Sequence, residues 1–282
     1  MEIALATSAD FPDLGPHDRA LVGTLAELGL IARPLIWSDP EAPWNHAKLA
    51  VIQSTWDSHF HPAEFLAWAD RVAGNVPLHN PAPFVRWNLH KGYLRDLAAK
   101  GVSVTPTVWL ARGATLELAP LLRERGWQRA VLKPAVSAGA NETHVINGLD
   151  ETAQSTLDRL SATHDVMIQP YLNAFESEGE RSYIFFDSIL SHAVHRPPTL
   201  KSAVRSYSEP SVFVPQDRAE LDLAHSVIAA IDSKLVYARV DVATNNDGVV
   251  RLQEVELVEP SLFTSLAPGS VQKLARTIAA RL

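Results

Sequence analysis

Apolar residues in the first third of the chain fall into short runs separated by stretches of helical periodicity. Ile3 to Ala6 predicts a strand, and His17 to Leu28 an amphipathic helix closed by Gly29. Arg33 to Trp37 and Lys48 to Gln53 predict further strands, and Pro62 to Val72 a helix opened by proline. This βαβαβ rhythm predicts a small parallel sheet. The Pro-rich segment Pro77-Leu78-His79-Asn80-Pro81-Ala82-Pro83 predicts a linker.

Beyond it the pattern predicts a helix from Asn88 to Lys100 stopped by Gly101, and a strand from Thr107 to Leu110. A helix from Leu116 to Arg125, a strand from Arg129 to Lys133, a helix from Glu151 to Ala162 and a strand from Val166 to Gln169 follow. The last third predicts paired strands at Ser182 to Phe186 and Ile189 to His195, then a helix at Arg218 to Ile231. An acidic hairpin comes next, and a closing helix runs from Ser270 to Arg281. The expected fold class is α+β with an α/β N-terminal lobe, without internal repeats.

The hairpin holds the densest candidate chemistry. Ala238-Arg239-Val240-Asp241-Val242 and Leu252-Gln253-Glu254-Val255-Glu256 flank the turn Asn245-Asn246-Asp247-Gly248. Glu254 and Glu256 are two apart, so they face one side of the sheet, and Asp241 approaches them from the other strand. Carboxylates converging on one face require positive charge between them, and hard oxygen donors suit Mg²⁺ with substrate phosphates. A solvated acidic face is the competing reading.

Lys133 ends the apolar run Val131-Leu132-Lys133-Pro134, just before Ser137-Ala138-Gly139-Ala140. A cation beside a loop of small residues lets backbone N–H groups close over phosphate oxygens. The run lacks the P-loop pattern, and an ordinary strand-to-turn lysine is the alternative. Lys91, near a predicted helix start, is a second phosphate candidate against a surface-lysine reading. The strand Val166 to Gln169 passes into Pro170-Tyr171-Leu172 and then the acids Glu176, Glu178 and Glu180, a linker that offers backbone groups to an adenine edge and carboxylates to a ribose. His192 and His195 are three apart on a strand and face opposite sides, which is poor geometry for a shared metal; His195-Arg196 is a candidate wall of a carboxylate pocket.

At 282 residues the chain supports one large or two to three small domains. Its net charge of -7 is spread along the chain, which argues against a nucleic-acid partner. Without cysteine, disulfides and thiolate metal sites are excluded. No apolar run approaches the ~20 residues of a spanning helix, so no membrane partner is expected. Met1 to Leu5 has no basic region of a signal peptide, and cytoplasmic residence is the default expectation.

Taken in order, lysine, lysine with small loop, linker with acids, then Asp and Glu-x-Glu resemble the ATP-grasp superfamily over nearly the whole chain. Glu254-Val255-Glu256-Leu257-Val258-Glu259-Pro260 resembles the Glu-x-Asn-x-x-x-Pro of glutathione synthetases, with Glu256 in place of Asn. Gln53-Ser54-Thr55-Trp56-Asp57, His79-Asn80-Pro81, Arg86 to Leu94 and Pro106-Thr107-Val108-Trp109 resemble a bacterial glutathione-synthetase-like branch that includes the D-cycloserine-forming ligase.

The resemblance implies a three-lobed ATP-grasp fold: an N-terminal α/β domain (1–84), a central lobe (85–168) and a C-terminal lobe with the Mg²⁺ site (169–282). It implies that Lys91 and Lys133 contact ATP phosphates beneath the Ser137 to Ala140 loop, which includes Gly139. Gln169, Tyr171 and Leu172 would line the adenine site, with Glu180 or Glu176 on the ribose. Asp241, Glu254 and Glu256 would hold Mg²⁺, and Arg239 would neutralise the transferring phosphoryl group. Relatives carry a glycine pair after the paired strands; Lys201 to Pro210 has none, which makes Lys201, Arg205 and Tyr207 acceptor-side candidates, with His195 and Glu259 next in line. The expected activity is ATP-dependent carboxylate–amine ligation through an acyl phosphate, with small-molecule carboxylate and amine substrates. The alternatives are an intramolecular ring-closing ligase of the cycloserine-forming type and a non-catalytic nucleotide-binding subunit; a homodimer is left open.

Overall fold

The computed structural model describes residues 1–147, 151–198 and 209–282. The predicted parallel sheet is formed by β1 (Ile3–Thr7), β2 (Ala32–Ile36), β3 (Leu49–Ser54) and β4 (Leu78–His79) in the order β2-β1-β3-β4. β1 and β3 are buried along their whole length, as strands covered on both faces must be. α1 (Ala20–Glu27) supplies Leu21 and Leu25 to one face. On the other, α2 (Pro62–Ala73) packs Phe65 and Trp68 against Trp37.

Two expectations need correction here. The segment from Pro77 to Pro83 is no linker: Leu78 and His79 form β4, and α3 (Ala82–Leu89) starts at once, with proline in its first turn. Proline's fixed φ and missing N–H suit that position, so the same residues that read as a linker open a helix. The single helix expected from Asn88 to Lys100 is two, α3 and α4 (Tyr93–Ala99). His90 is extended (φ -107°, ψ 118°), and the Lys91 N–H leaves the helix ladder to donate to Ala135 O at 2.8 Å.

The central sheet is antiparallel throughout, with β5 (Val108–Leu110), β6 (Arg129–Pro134), β7 (His144–Asn147) and β8 (Val166–Pro170) in the order β5-β8-β6-β7. One face packs Ala130, Leu132, Ile146 and Ile168 against α5 (Leu118–Arg125) and α6 (Glu151–Thr163). A short α7 (Ala174–Ser177) then leads to the third sheet.

That sheet joins β9 (Glu180–Phe186), β10 (Ile189–Arg196), β11 (Ser211–Phe213), β12 (Tyr237–Thr244) and β13 (Val250–Glu256), all antiparallel, in the order β11-β10-β9-β12-β13. Tyr183, Phe185, Val240 and Val242 point to α8 (Arg218–Ile231), whose first turn is capped by the Asp217 carboxylate accepting from the N–H groups of Ala219 and Glu220. Tyr93, Leu94 and Leu97 of α4 join the same core, and β8 runs on to Pro170 in the central sheet. α9 (Ser270–Ala279) lies between the first and third sheets, burying Leu274 and Ile278 with Leu5, Val51, Ile184 and Phe186.

Two buried asparagines fasten these bodies. Asn80 donates to Tyr237 O (2.9 Å) and Leu257 O (2.7 Å) and accepts from the Val236 N–H (2.8 Å). Asn88 donates to Val255 O and accepts from the Leu257 N–H, both at 2.7 Å. Among the described residues no helix is long and apolar enough to cross a membrane.

Candidate active site

Strand alternation builds one wall of the site. On β12, Ala238, Val240 and Val242 enter the core, so Arg239 and Asp241 face the other way. The register sets Arg239 opposite Glu256, Asp241 opposite Glu254 and Ser182, and Arg196 opposite Glu180. Charged groups from four adjacent strands therefore share one sheet face, at Cβ spacings short enough for direct pairing.

These charges are knitted into a network. Arg239 pairs with Asp241 (2.9 Å) and with Glu256; Arg196 pairs with Asp241 (2.8 Å) and Glu180 (2.9 Å). The Ser182 hydroxyl donates to Asp241 at 2.6 Å. Burial would raise the Asp241 pKa, but Arg196 and Arg239 outweigh it and hold the carboxyl below its ordinary range. Burial pushes Glu256 up to about 7 against the pull of Arg239, with Glu254 and Asp241 adding to the rise. Burial also raises Glu180, opposed by Arg196.

The opposite wall comes from the central sheet. Leu132 is in the lobe core, so Val131 and Lys133 face the cavity. The Lys133 ammonium makes no ion pair or hydrogen bond with any described residue, and burial lowers its pKa while Glu254 opposes that shift. The loop Ser137 to Ala140 follows it, with Gly139 (φ +59°) and Ala140 (φ +59°) in the left-handed region. The break between α3 and α4 carries Lys91 into the same space, where it pairs with Glu254 (3.1 Å) and donates to Ser137 O.

At the hinge between these walls, Gln169 donates to Thr107 Oγ1 (2.8 Å) and the Tyr171 hydroxyl donates to Glu176 (3.0 Å), while the Arg129 guanidinium lies over the Tyr171 ring. Tyr171 spends its N–H on Arg129 O and its carbonyl on the Asn246 amide, whereas the Leu172 N–H has no acceptor among the described residues. Gly179 (φ +76°) makes the turn into Glu180; a Cβ there would sit 2.1 Å from Arg196 O, so the close approach of these strands needs glycine.

Together the walls enclose a cavity of about 730 Å³. It is lined by Lys91, Lys133, Ser137, Gly139, Gln169, Tyr171, Leu172 and Glu180, and by Arg239, Asp241, Glu254 and Glu256, which the sequence had singled out. Glu176 is turned to Arg129 and Tyr171. Arg205, with Lys201 and Tyr207, lies outside the described residues. His192 and His195 are separated as expected: His192 bonds Leu262 O at 2.9 Å, and His195 bonds Glu178 O. Sequence reasoning missed the clamp that Arg196 makes across two strands, and the N-terminal contribution of Trp56 and His59. Cross-strand register is the signal that would have found Arg196.

A family model for the N-terminal domain of D-cycloserine synthetase DcsG matches residues 3–80. The cycloserine biosynthesis protein DcsG of Streptomyces lavendulae is 31% identical over 300 residues, spanning 99% of this chain and 98% of that protein. The crystal structure of D-cycloserine synthetase DcsG superposes with a TM-score of 0.89 at 30% identity, covering 100% of this chain and 99% of the other. D-alanine–D-alanine ligase from Bacillus anthracis shares the fold alone, with a TM-score of 0.67 at 14% identity over 99% of this chain and 96% of that one. The three-lobed architecture, the walls facing one cavity and the full-length likeness agree: the chain belongs to the ATP-grasp ligases, in the family of DcsG.

Proposed function

We propose that the chain cleaves ATP to ADP in order to activate the carboxylate of a small amino-acid-like substrate, and then joins that carboxyl carbon to a nitrogen. The observation that carries this reading is the opposition, across one cavity, of Lys133, unpaired among the described residues, with its small-residue loop and the acidic face of β12 and β13. Lys133 and Lys91 offer charge-assisted contacts to phosphate oxygens, the Leu172 N–H meets the adenine edge, and Glu180 is the ribose candidate.

The donor set fits a Mg²⁺ ion that arrives with the triphosphate. Among the described residues no three His, Asp or Glu side chains form a ready-made metal cage. Asp241 is engaged by both arginines, whereas Glu254 and Glu256 keep 28% and 27% of their side chains exposed. Mg²⁺ is held by one or two carboxylates plus phosphate oxygens, so Glu254 and Glu256 would ligate it and Asp241 would orient Arg239 and Arg196 beside it. There the ion would neutralise charge on the phosphoryl group in transfer.

The substrate carboxylate attacks the γ-phosphorus, ADP leaves, and an acyl phosphate results. A nitrogen nucleophile then attacks the acyl carbon and phosphate leaves with the bonding pair. No protein nucleophile is needed, because the chain's part is positioning and charge neutralisation by Lys91, Lys133, Arg196 and Arg239. Closure of the Ser137 to Ala140 loop would keep water from the acyl phosphate. The likeness to D-cycloserine synthetase favours the intramolecular form, in which one substrate supplies both carboxylate and nitrogen. A purely binding role leaves the concentrated acids of β12 and β13 without a purpose. Glu254→Gln is expected to lower ADP formation by about 10²-fold or more with the fold unchanged by circular dichroism. Full turnover with normal Mg²⁺ dependence would remove Glu254 from the site.

A further inference from the structure

Glu259 has no part in the phosphate chemistry above, yet it lines the same cavity, as do Trp56, His59 and Phe263. Its Oε2 is buried and has no hydrogen-bond partner among the described residues, although the Ser58 hydroxyl lies near the carboxyl. Charge pairing isolates it further. Lys91 serves Glu254, Arg239 serves Asp241 and Glu256, and Arg196 serves Glu180 and Asp241. Among the described residues Glu259 is the cavity carboxylate with no cation of its own.

The backbone on either side of it is held by hydrogen bonds. Tyr237 donates its hydroxyl to Val258 O (2.7 Å), Trp56 donates its indole N–H to Glu259 O (3.0 Å), and His192 bonds Leu262 O (2.9 Å). In the order β2-β1-β3-β4 the chain reverses direction across the sheet between β1 and β3, and ligands of open α/β sheets bind outside the carboxyl ends of strands at such a point. Trp56 and His59 follow the carboxyl end of β3 and line the cavity, and Trp56 bonds the Glu259 backbone.

We propose that Glu259 grips the primary ammonium group of an amino-acid substrate, with Trp56 and Phe263 as the walls of that subsite. A buried carboxylate without a cation of its own suits an ammonium by ion pairing, and the aromatic rings of Trp56 and Phe263 in the same cavity offer cation–π attraction. An α-amino group bound there directs the neighbouring carboxyl towards Lys91 and Glu256, the groups whose charges Glu259 senses. Burial, reinforced by Glu256, pushes Glu259 up to about 8, a rise that a bound cation would reverse. The proposal rests on the ligase reading and names the part of the substrate that this end of the cavity recognises.

The test compares D-cycloserine with 3-isoxazolidinone, the same ring without its amine, by calorimetry with and without AMP-PNP and Mg²⁺. Wild-type protein is expected to bind the amine at least tenfold more tightly. Glu259→Gln should abolish that preference with AMP-PNP affinity and melting temperature unchanged, and Glu259→Asp should restore part of it. A wild type that treats the two compounds alike, or a Glu259→Gln variant that keeps the preference, overturns the proposal. Loss of AMP-PNP binding by wild type would count against the ligase reading instead, while the amine preference still decides the role of Glu259.

Discussion

Lys133 stands at the end of an apolar strand with its ammonium in the cavity and no ion-pair or hydrogen-bond partner among the described residues, so a bound anion would complete its electrostatics. Lys133→Ala is expected to weaken ATP binding by about 1.5–3 kcal/mol, the worth of a charge-assisted hydrogen bond. Calorimetry returning wild-type affinity would move the phosphates elsewhere. Asn80 makes the opposite kind of contribution: its amide is spent wholly on backbone groups of the third body. Asn80→Ala leaves those buried groups unpaired and should cost about 2–4 kcal/mol in urea unfolding. An unchanged midpoint would show that Asn80 does not fasten the bodies. The two residues differ in legibility. Lys133 could be singled out because its chemistry depends on neighbours a few positions away. Asn80 lay in a recognisable motif, but its partners sit more than a hundred residues along the chain, and nothing local predicts them. The same holds for Arg196, whose role follows from register with β9 and its neighbour β12.

Strand periodicity carried the reading of the elements furthest. Alternation along β12 and β13 placed Asp241, Glu254 and Glu256 on one face, and pairing put Arg239 and Arg196 among them. Local signals failed where a tertiary contact won. The pattern from Asn88 to Lys100 is helical throughout, yet the Lys91 N–H goes to Ala135 O and the helix breaks, which is what delivers Lys91 to the cavity. Short elements such as β7, β11 and α7 have too few residues for a periodic signal. One strand also carries a pH sensor for stability. On β10, burial depresses His192 to about 4, the Leu262 carbonyl offsetting only part of the shift. The folded pKa lies below the unfolded value near 6.5, so the fold favours the neutral ring. Its stabilisation is complete above about pH 6.5 and is lost as pH falls towards 4, for a total of about 3 kcal/mol. Denaturant midpoints should decline over that window, and His192→Gln should flatten the decline. An identical acid limb in the variant would assign the loss to other groups.

At the scale of the whole molecule, two antiparallel sheets face each other across the cavity, and the parallel sheet closes its end through Trp56 and His59. α9 and the two asparagines bind the first body to the third, so the acidic wall and the end of the cavity lined by Trp56 and His59 share one packed frame. The central sheet, with Lys133 and the small-residue loop, is tied to that frame at the hinge and at Lys91. This division suits an enzyme that admits substrate, closes over the phosphates and excludes water while an acyl phosphate exists. Substrate activation is the claim on which the account stands. The most direct measurement supplies ATP, Mg²⁺ and carboxyl-¹⁸O-labelled amino acids, singly and in pairs, and follows ADP release together with the isotopic mass of the phosphate. ADP release that depends on an amino acid, with one ¹⁸O carried from its carboxyl into the phosphate, is the predicted result, and a single amino acid sufficing would mark the ring-closing form. ATP cleavage that ignores the amino acids, or phosphate that carries no label, would contradict the account.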